Sequence, residues 1–259
     1  MKLKHLSTCI GLVATSAIAF SAESARAASF DFTNNVALGG CGVLTDDLTT
    51  PLFQAFIDTN LEKSCTTAEG LTLTASDPGD GFLQGKMVGD TIGVGITVPG
   101  AGPVPAEVQN GELLTVDIPT ESKIDFIDLG FLYRPGVFGD AVFEVAQIMT
   151  DTGLMGTLTV TGETSAVWSL GGVVSNLSPS KEVEGGQYRI DNPFGDIGGI
   201  SSLKFTAPTA GKRPPTDSDY ALVAIGTTPD IDQVPEPAAL LGLTVVGGLM
   251  AASRRKKAS

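Results

Sequence analysis

Carboxylates are the side chains most available for acid–base chemistry in this sequence. The chain has 29 aspartate and glutamate residues but a single histidine, His5, close to the N-terminus. Serine and cysteine hydrolases commonly use a histidine to activate the nucleophile, and most zinc sites contain one. Because His5 falls in a segment that we expect to be removed, we do not expect these mechanisms in the mature chain.

A pair of carboxylates is the remaining catalytic option, because glycoside hydrolysis uses two of them on either side of the scissile bond. The sequence does not pair the candidates, and most acidic residues in so acidic a chain are solvated. We therefore predict a protein without catalytic activity, and a carboxylate-dependent glycosidase or lyase is the alternative. The candidates are Glu107, Glu112, Asp117, Asp125, Asp128, Glu144 and Glu163.

Acidic clusters in predicted turns could bind calcium, which prefers carboxylate and carbonyl oxygens. None of the clusters matches an EF-hand loop, and Asp and Asn are common in turns without any ion. Turn formation is the favoured interpretation, calcium is the alternative, and no other cofactor is expected. The clusters are Asp77 with Asp80, Asp191 with Asn192 and Asp196, and Asp217 with Asp219.

A sugar-binding module would need an exposed aromatic ring on which a sugar can stack. Trp168 stands between Val167 and Ser169 in an apolar run, so core packing is its favoured role. Tyr133 precedes Arg134-Pro135-Gly136 at a predicted strand-to-loop junction, which makes it the better candidate for an exposed glycan contact.

Cys41 and Cys65 are the cysteines that remain once an N-terminal segment containing Cys9 is removed. Two cysteines in an oxidising compartment most simply form one disulfide. Their spacing does not resemble a metal site. We predict a Cys41–Cys65 bridge, with two buried free thiols as the alternative.

Short runs rich in β-branched and aromatic residues, separated by Gly, Pro, Asp and Ser, fill the chain beyond Leu71. This pattern predicts an all-β fold, an antiparallel two-sheet β-sandwich, and a jelly roll fits the strand count best. Residues 43–63 instead place apolar side chains at helical spacing, so a short helix or a packed loop is expected there. The predicted strands are 29–33, 71–75, 92–98, 112–118, 123–132, 142–149, 154–161, 166–170, 187–191, 200–206 and 220–226.

Both ends of the chain carry the features of sorting signals. Residues 1–27 combine a basic start, an apolar run over 6–20 and the small-x-small sequence Ala25-Arg26-Ala27, which is typical of a signal peptide. At the other end, the uncharged run 238–252 would form a helix about 22 Å long, short for a hydrocarbon core of about 30 Å. We predict a single transmembrane helix there; a constitutive anchor and a buried C-terminal helix are the alternatives.

The C-terminal segment 234–257 resembles the PEP-CTERM sorting signal. The resemblance is carried by the order of a Val-Pro-Glu-Pro motif, a short Gly-containing apolar run and a basic cluster, which would stay on the cytoplasmic side. It implies processing by an exosortase-type enzyme and an association with extracellular polysaccharide and the biofilm matrix. The motif residues are Val234, Pro235, Glu236, Pro237, Arg254, Arg255, Lys256 and Lys257.

The middle of the chain also looks like a domain that is common in PEP-CTERM proteins, and this likeness implies a jelly-roll-like fold. It rests on four short motifs, which are Gly93-Val94-Gly95, Glu112-Leu113-Leu114, Asp128-Leu129-Gly130 and Ser218-Asp219-Tyr220.

We expect a signal peptide at 1–27, a β-sandwich domain at 28–226, a linker at 227–233 and the sorting signal at 234–257. The signal peptide contains three basic residues and one acidic residue, and the tail contains four basic residues and one acidic residue. Without these two segments the chain has nine basic and 27 acidic residues, a net charge near −18. Such a surface repels nucleic acid. The sequence therefore predicts an exported protein, anchored in the inner membrane before processing and then at the cell surface or extracellular, with a structural or glycan-associating role.

Overall fold

The computed structural model describes residues 27–46, 48, 56–57, 60–76, 81–98, 106–109, 111–137, 141–178, 186–208 and 218–230. All of them belong to one compact unit, Ala25–Val234. Over these residues the chain forms antiparallel strand pairs, and its one helical element is the 3₁₀ turn Gly39–Leu44. The prediction of an all-β fold is therefore confirmed.

The strands show the alternation of buried and exposed side chains that a sheet covered on one face requires. The clearest cases are the strands Thr72–Ser76, Val145–Thr150 and Met155–Val160. The strands within the described residues are β1 Ala28–Asp31, β2 Phe56–Ile57, β3 Ser64–Thr66, β4 Thr72–Ser76, β5 Phe82–Val88, β6 Thr91–Thr97, β7 Leu113–Gly130, β8 Val145–Thr150, β9 Met155–Val160, β10 Ala166–Trp168, β11 Val173–Asn176, β12 Tyr188–Asp191, β13 Ile200–Thr206 and β14 Ala221–Pro229.

Strand β7 is the central element, and it corrects the prediction of two separate strands at 112–118 and 123–132. It is one strand of 18 residues whose first part pairs with β4 and β13 and whose second part pairs with β12 and β14. Pro119, which has no N–H to donate, lies where the strand exchanges one set of partners for the other. The ladder with β13 shifts register here, between the pairs Ser202–Asp117 and Ile200–Ser122, and the strand continues through the proline.

All 14 of the described strands form one hydrogen-bonded network, and β7 divides it into two parts, which we call the first and the second sheet and which enclose one hydrophobic core. The first sheet has the order β3-β4-β7-β13-β8-β9-β10, and the second runs β11-β12-β7-β14, with β1 and β6 both beside β14, and β5 and β2 following β6. Side chains of both sheets meet in the core, among them Leu114, Phe205, Ile127 and Leu222. The arrangement is sandwich-like.

The second sheet is also buried on its outer face along most of β14. Residues 221–227 of β14 are all buried, in contrast to the alternation seen in the first sheet. The segment after β7 folds back over this face and forms a smaller apolar cluster of Val88, Phe131, Tyr133, Val137 and Ala221. In contrast, the outer face of the first sheet remains accessible to solvent.

The predicted disulfide is confirmed. The Cys41 and Cys65 sulfur atoms are bonded, and the bridge joins the 3₁₀ turn to β3 across a sequence separation of 24 residues. Both cysteines are buried in the main core. Of the predicted helix or loop at 43–63, the structure describes only the end of this turn, strand β2 and a few neighbouring residues.

Strand β14 extends three residues into the segment 227–233 that we expected to be a linker. Strand β14 continues to Pro229, with Thr227 opposite Ala28 and Pro229 opposite Ser122, so residues 227–229 belong to the sheet. Within the described part of the chain, no helix is both long and apolar enough to cross a membrane. Residues 1–26 of the predicted signal peptide, the span at 238–252 and the sorting motif lie outside the described residues.

Candidate functional site

Four of the seven candidate carboxylates are buried, and each contacts a neighbouring group. Glu107 Oε1 lies 2.7 Å from the Lys86 ammonium, and a Glu112 oxygen accepts the Gln109 N–H at 2.7 Å. Glu144 accepts the backbone N–H of Tyr133, and Asp128 binds an arginine. Asp117 and Glu163 are exposed and Asp125 is half-buried.

The Lys86–Glu107 pair lies deep in the outer layer of the second sheet. The two side chains are 9% and 4% exposed, and the Lys86 ammonium is 4.9 Å from the centre of the Phe131 ring. Burial strengthens the attraction between the charges but also removes their hydration, so such a pair is sustained by close geometry. The carboxylate is engaged by the cation and is poorly placed to exchange protons with a substrate.

The Asp128–Arg189 pair joins β7 to β12. Arg189 donates from Nε and Nη2 to the two Asp128 oxygens, each at 2.7 Å, and its guanidinium lies 4.1 Å from the centre of the Phe126 ring. Burial raises the pKa of the Asp128 carboxyl, against the opposing influence of Arg189. The pKa of Arg189 is raised, chiefly by its hydrogen bond to Asp128.

Asp31 and Asp191 complete this charged surface. Asp31 lies in one cross-strand row with the ion pair, in the order Asp31, Ala224, Asp128 and Arg189. Asp191, two residues after Arg189 on β12, lies opposite Phe126. Both aspartates raise the pKa of Arg189 further through their negative charge. The arrangement neutralises charge and ties strands together, and it favours a structural role.

Of the candidate calcium clusters, the structure fully describes one, which is Asp191 with Asn192 and Asp196. Asp196 accepts a hydrogen bond from Lys123 Nζ at 2.7 Å, and Asp191 belongs to the surface around Arg189. No group of three or more His, Cys, Asp or Glu side chains in the described part of the chain could hold a metal ion. Asp219 is described and half-buried, whereas Asp77, Asp80 and Asp217 lie outside the described residues.

Neither predicted glycan-contacting aromatic offers an exposed ring. Trp168 is 3% exposed, its Nε1–H donates to the Pro193 carbonyl at 2.6 Å, and its ring meets Phe194 edge to face. The prediction of core packing for Trp168 is confirmed. Tyr133 is 4% exposed, so its predicted exposure is wrong. The apolar run Phe131-Leu132-Tyr133 was the signal that this segment folds back onto the sheet.

The outer face of the first sheet is a surface that the sequence patterns did not reveal. Alternate residues of its strands point into the core, and their neighbours form a broad, hydroxyl-rich surface that is exposed or half-buried. We call it the hydroxyl face. It consists of Ser64, Thr66, Thr72, Thr74, Ser76, Thr115, Asp117, Gln147, Thr157, Thr159, Ser202, Lys204 and Thr206, together with two half-buried apolar residues, Leu113 and Val145.

An apolar border adjoins the hydroxyl face at one side. Met149 of β8 lies opposite Met155 of β9, and Val167 of β10 lies opposite Thr159. These three side chains are 37%, 51% and 58% exposed. The Thr-x-Thr sequences at 72–74 and 157–159 were the local signal for this face, but its extent depends on pairing between distant strands.

Comparison with known proteins gives no relative for this chain. No family model matches it, and neither a curated protein nor a solved structure matches it.

Proposed function

We propose that this chain is an exported cell-surface or extracellular-matrix protein with a structural or glycan-associating role, delivered by a PEP-CTERM tail. The observation that carries the proposal is the Cys41–Cys65 disulfide. Disulfides persist in oxidising compartments and are rare in the cytosol, so the bridge supports export. The C-terminal segment 234–257 supports delivery by a PEP-CTERM tail, because it contains the Val-Pro-Glu-Pro motif, the apolar run and the basic cluster in that order.

The sorting route needs the tail to reach the membrane. The described domain ends at Asp230, four residues before Val234. We infer that residues 238–252 form the single transmembrane helix, with Arg254 to Lys257 on the cytoplasmic side, until an exosortase-type enzyme processes the chain. The processed protein then stands at the cell surface or in the matrix, in contact with extracellular polysaccharide.

A non-enzymatic role is supported by the state of the buried carboxylates. Glu107 and Asp128 neutralise cations, whereas Glu112 and Glu144 accept backbone N–H groups. A glycosidase instead needs two carboxylates that both face a bound sugar. For the fold we infer a jelly-roll-like sandwich, since β4 and β13, far apart in the chain, flank the same strand β7.

Sorting is tested in a host that has an exosortase-type enzyme, with the full chain carrying an epitope tag at an exposed turn such as Asp151–Gly153. Membrane and surface fractions are compared for wild type, Glu236→Ala and the exposed-site control Glu69→Ala. We expect processed protein at the surface for wild type and control, and full-length protein in the membrane for Glu236→Ala. Equal processing of all three variants would contradict the sorting route.

A further inference from the structure

The hydroxyl face and its apolar border together form continuous rows across the first sheet. In the longest row, each residue lies directly opposite the next on the neighbouring strand, so six strands contribute one side chain each. A second row starts with Thr66 and crosses four strands to Ser202. The longest row is Ser64, Thr74, Thr115, Lys204, Met149 and Met155.

The spacing of the rows follows from sheet geometry. Neighbouring strands are about 4.8 Å apart, and side chains on one face repeat about every 6.8 Å along a strand. Some hydroxyls already bond to each other, such as Thr66 Oγ1 with Thr72 Oγ1 at 3.1 Å and Thr74 Oγ1 with Ser64 Oγ at 3.3 Å. A hydroxyl has one donor and two acceptor positions, so each retains capacity for an outside partner.

The charge of the hydroxyl face differs from that of the whole chain. The chain has a net charge of −13, whereas the face has one carboxylate, Asp117, and one ammonium, Lys204. An uncharged polymer could cover this face without displacing the hydration of many ions, which would be costly. An acidic polymer would instead be repelled by the surrounding negative surface.

We propose that the hydroxyl face binds an extended neutral polysaccharide, whose hydroxyl groups exchange hydrogen bonds with the Ser and Thr rows. The proposal rests on the glycan-associating role given above and names its ligand class and its surface. The apolar border of Met149, Met155 and Val167 can cover the less polar faces of sugar rings at one edge. A second copy of the chain is a poorer occupant, since protein interfaces have an apolar core and two copies of net charge −13 repel each other.

The test uses the full chain in a polyoxyethylene detergent, which has no sugar headgroup to compete for the face. Its partition onto amorphous cellulose, a neutral polysaccharide, is compared with its partition onto alginate beads, an acidic one. The key variant is the triple change Thr74→Val, Thr115→Val and Thr157→Val on strands β4, β7 and β9. Valine keeps the β-branched shape and strand preference of threonine, so the variant removes hydroxyls and leaves the sheet intact.

The matched control is Thr228→Val, an exposed threonine on β14 of the second sheet that donates a hydrogen bond to Asp125 at 2.7 Å. We expect wild type and control to bind cellulose equally, with little dependence on salt. The triple variant should bind about tenfold more weakly, which corresponds to about 1.4 kcal/mol. Equal denaturation midpoints for the triple variant and the control ensure that both are folded.

The outcomes separate this proposal from the proposed function. Equal cellulose binding by wild type and the triple variant overturns the hydroxyl face as the binding surface and leaves a glycan-associating role in place. Binding to alginate alone, abolished by salt or by Lys204→Glu, also overturns the proposal, because it would be ionic. Binding of wild type to neither polymer overturns both the proposal and the glycan-associating role, while export is judged separately by processing at Glu236.

Discussion

Removing one member of the buried Lys86–Glu107 pair should destabilise the protein strongly. The charged side chain that remains would still be less than a tenth exposed to solvent. It would have lost the opposite charge that lies 2.7 Å from it in wild type. Such a loss costs about 3–5 kcal/mol. Lys86→Met also removes the cation from the Phe131 ring, a contact worth up to about 2 kcal/mol when desolvated. Against a total stability of about 5–15 kcal/mol, each single change is a large fraction.

The double variant Lys86→Met with Glu107→Gln should be less destabilised than the sum of the single changes. It leaves neither charge buried alone, so we expect a coupling energy of about 1–3 kcal/mol in the double-mutant cycle. Urea denaturation of the four proteins, followed by tryptophan fluorescence from Trp168, measures it. The exposed pair Lys123 and Asp196 is the control, and its cycle should give a clearly smaller coupling because water screens it. Additive losses at Lys86 and Glu107 would refute the reasoning.

Three further predictions concern the disulfide, a glycine and Asp128. Replacing Cys41 and Cys65 together by serine should lower the free energy of unfolding by about 3 kcal/mol in urea, and native exported protein should contain no thiol at either position that reacts with an alkylating agent. Gly156→Ala would place a Cβ atom in collision with the Trp168 ring, so its denaturation midpoint should fall by an amount equivalent to about 1–3 kcal/mol. Burial raises the pKa of Asp128 in the folded state above its ordinary value of 3.8. As pH rises above 3.8, Asp128 therefore keeps its proton to a higher pH in the folded state than in the unfolded state. As pH rises from 3.8 through the folded-state pKa of Asp128, wild type should therefore lose stability to urea relative to Asp128→Asn, and an unchanged or growing stability difference in favour of wild type would contradict the shift.

The features that local pattern determines were predictable from the sequence. Alternation at 71–75 and 142–149 anticipated β4 and β8, because side chains of a strand point to opposite faces in turn. The Cys41–Cys65 bridge followed from having two cysteines beyond the predicted signal peptide. The burial of Trp168 followed from its apolar neighbours.

Long-range pairing decided the features that were missed. A proline usually marks the end of a strand. In β7, however, Pro119 falls where the pairing partners change, and this depends on the positions of β4, β13 and β14. Tyr133 is buried because the chain returns over the second sheet. The hydroxyl face joins residues from Ser64 to Thr206, and only the strand register brings them into rows.

The weakness of each single contact connects the proposed polysaccharide-binding face with the proposed sorting to the cell surface. A hydrogen bond exchanged with water contributes only about 0.5–1.5 kcal/mol, so a flat face with no enclosing pocket should hold one polysaccharide chain weakly. Copies held together at a cell surface bind with a much higher effective concentration, which can raise avidity by about 10²–10⁴ without any new contact. Sorting to the surface would therefore make a weak face effective. The same Thr74, Thr115 and Thr157 changes should consequently reduce polysaccharide retention by whole cells more than they reduce the binding of single chains.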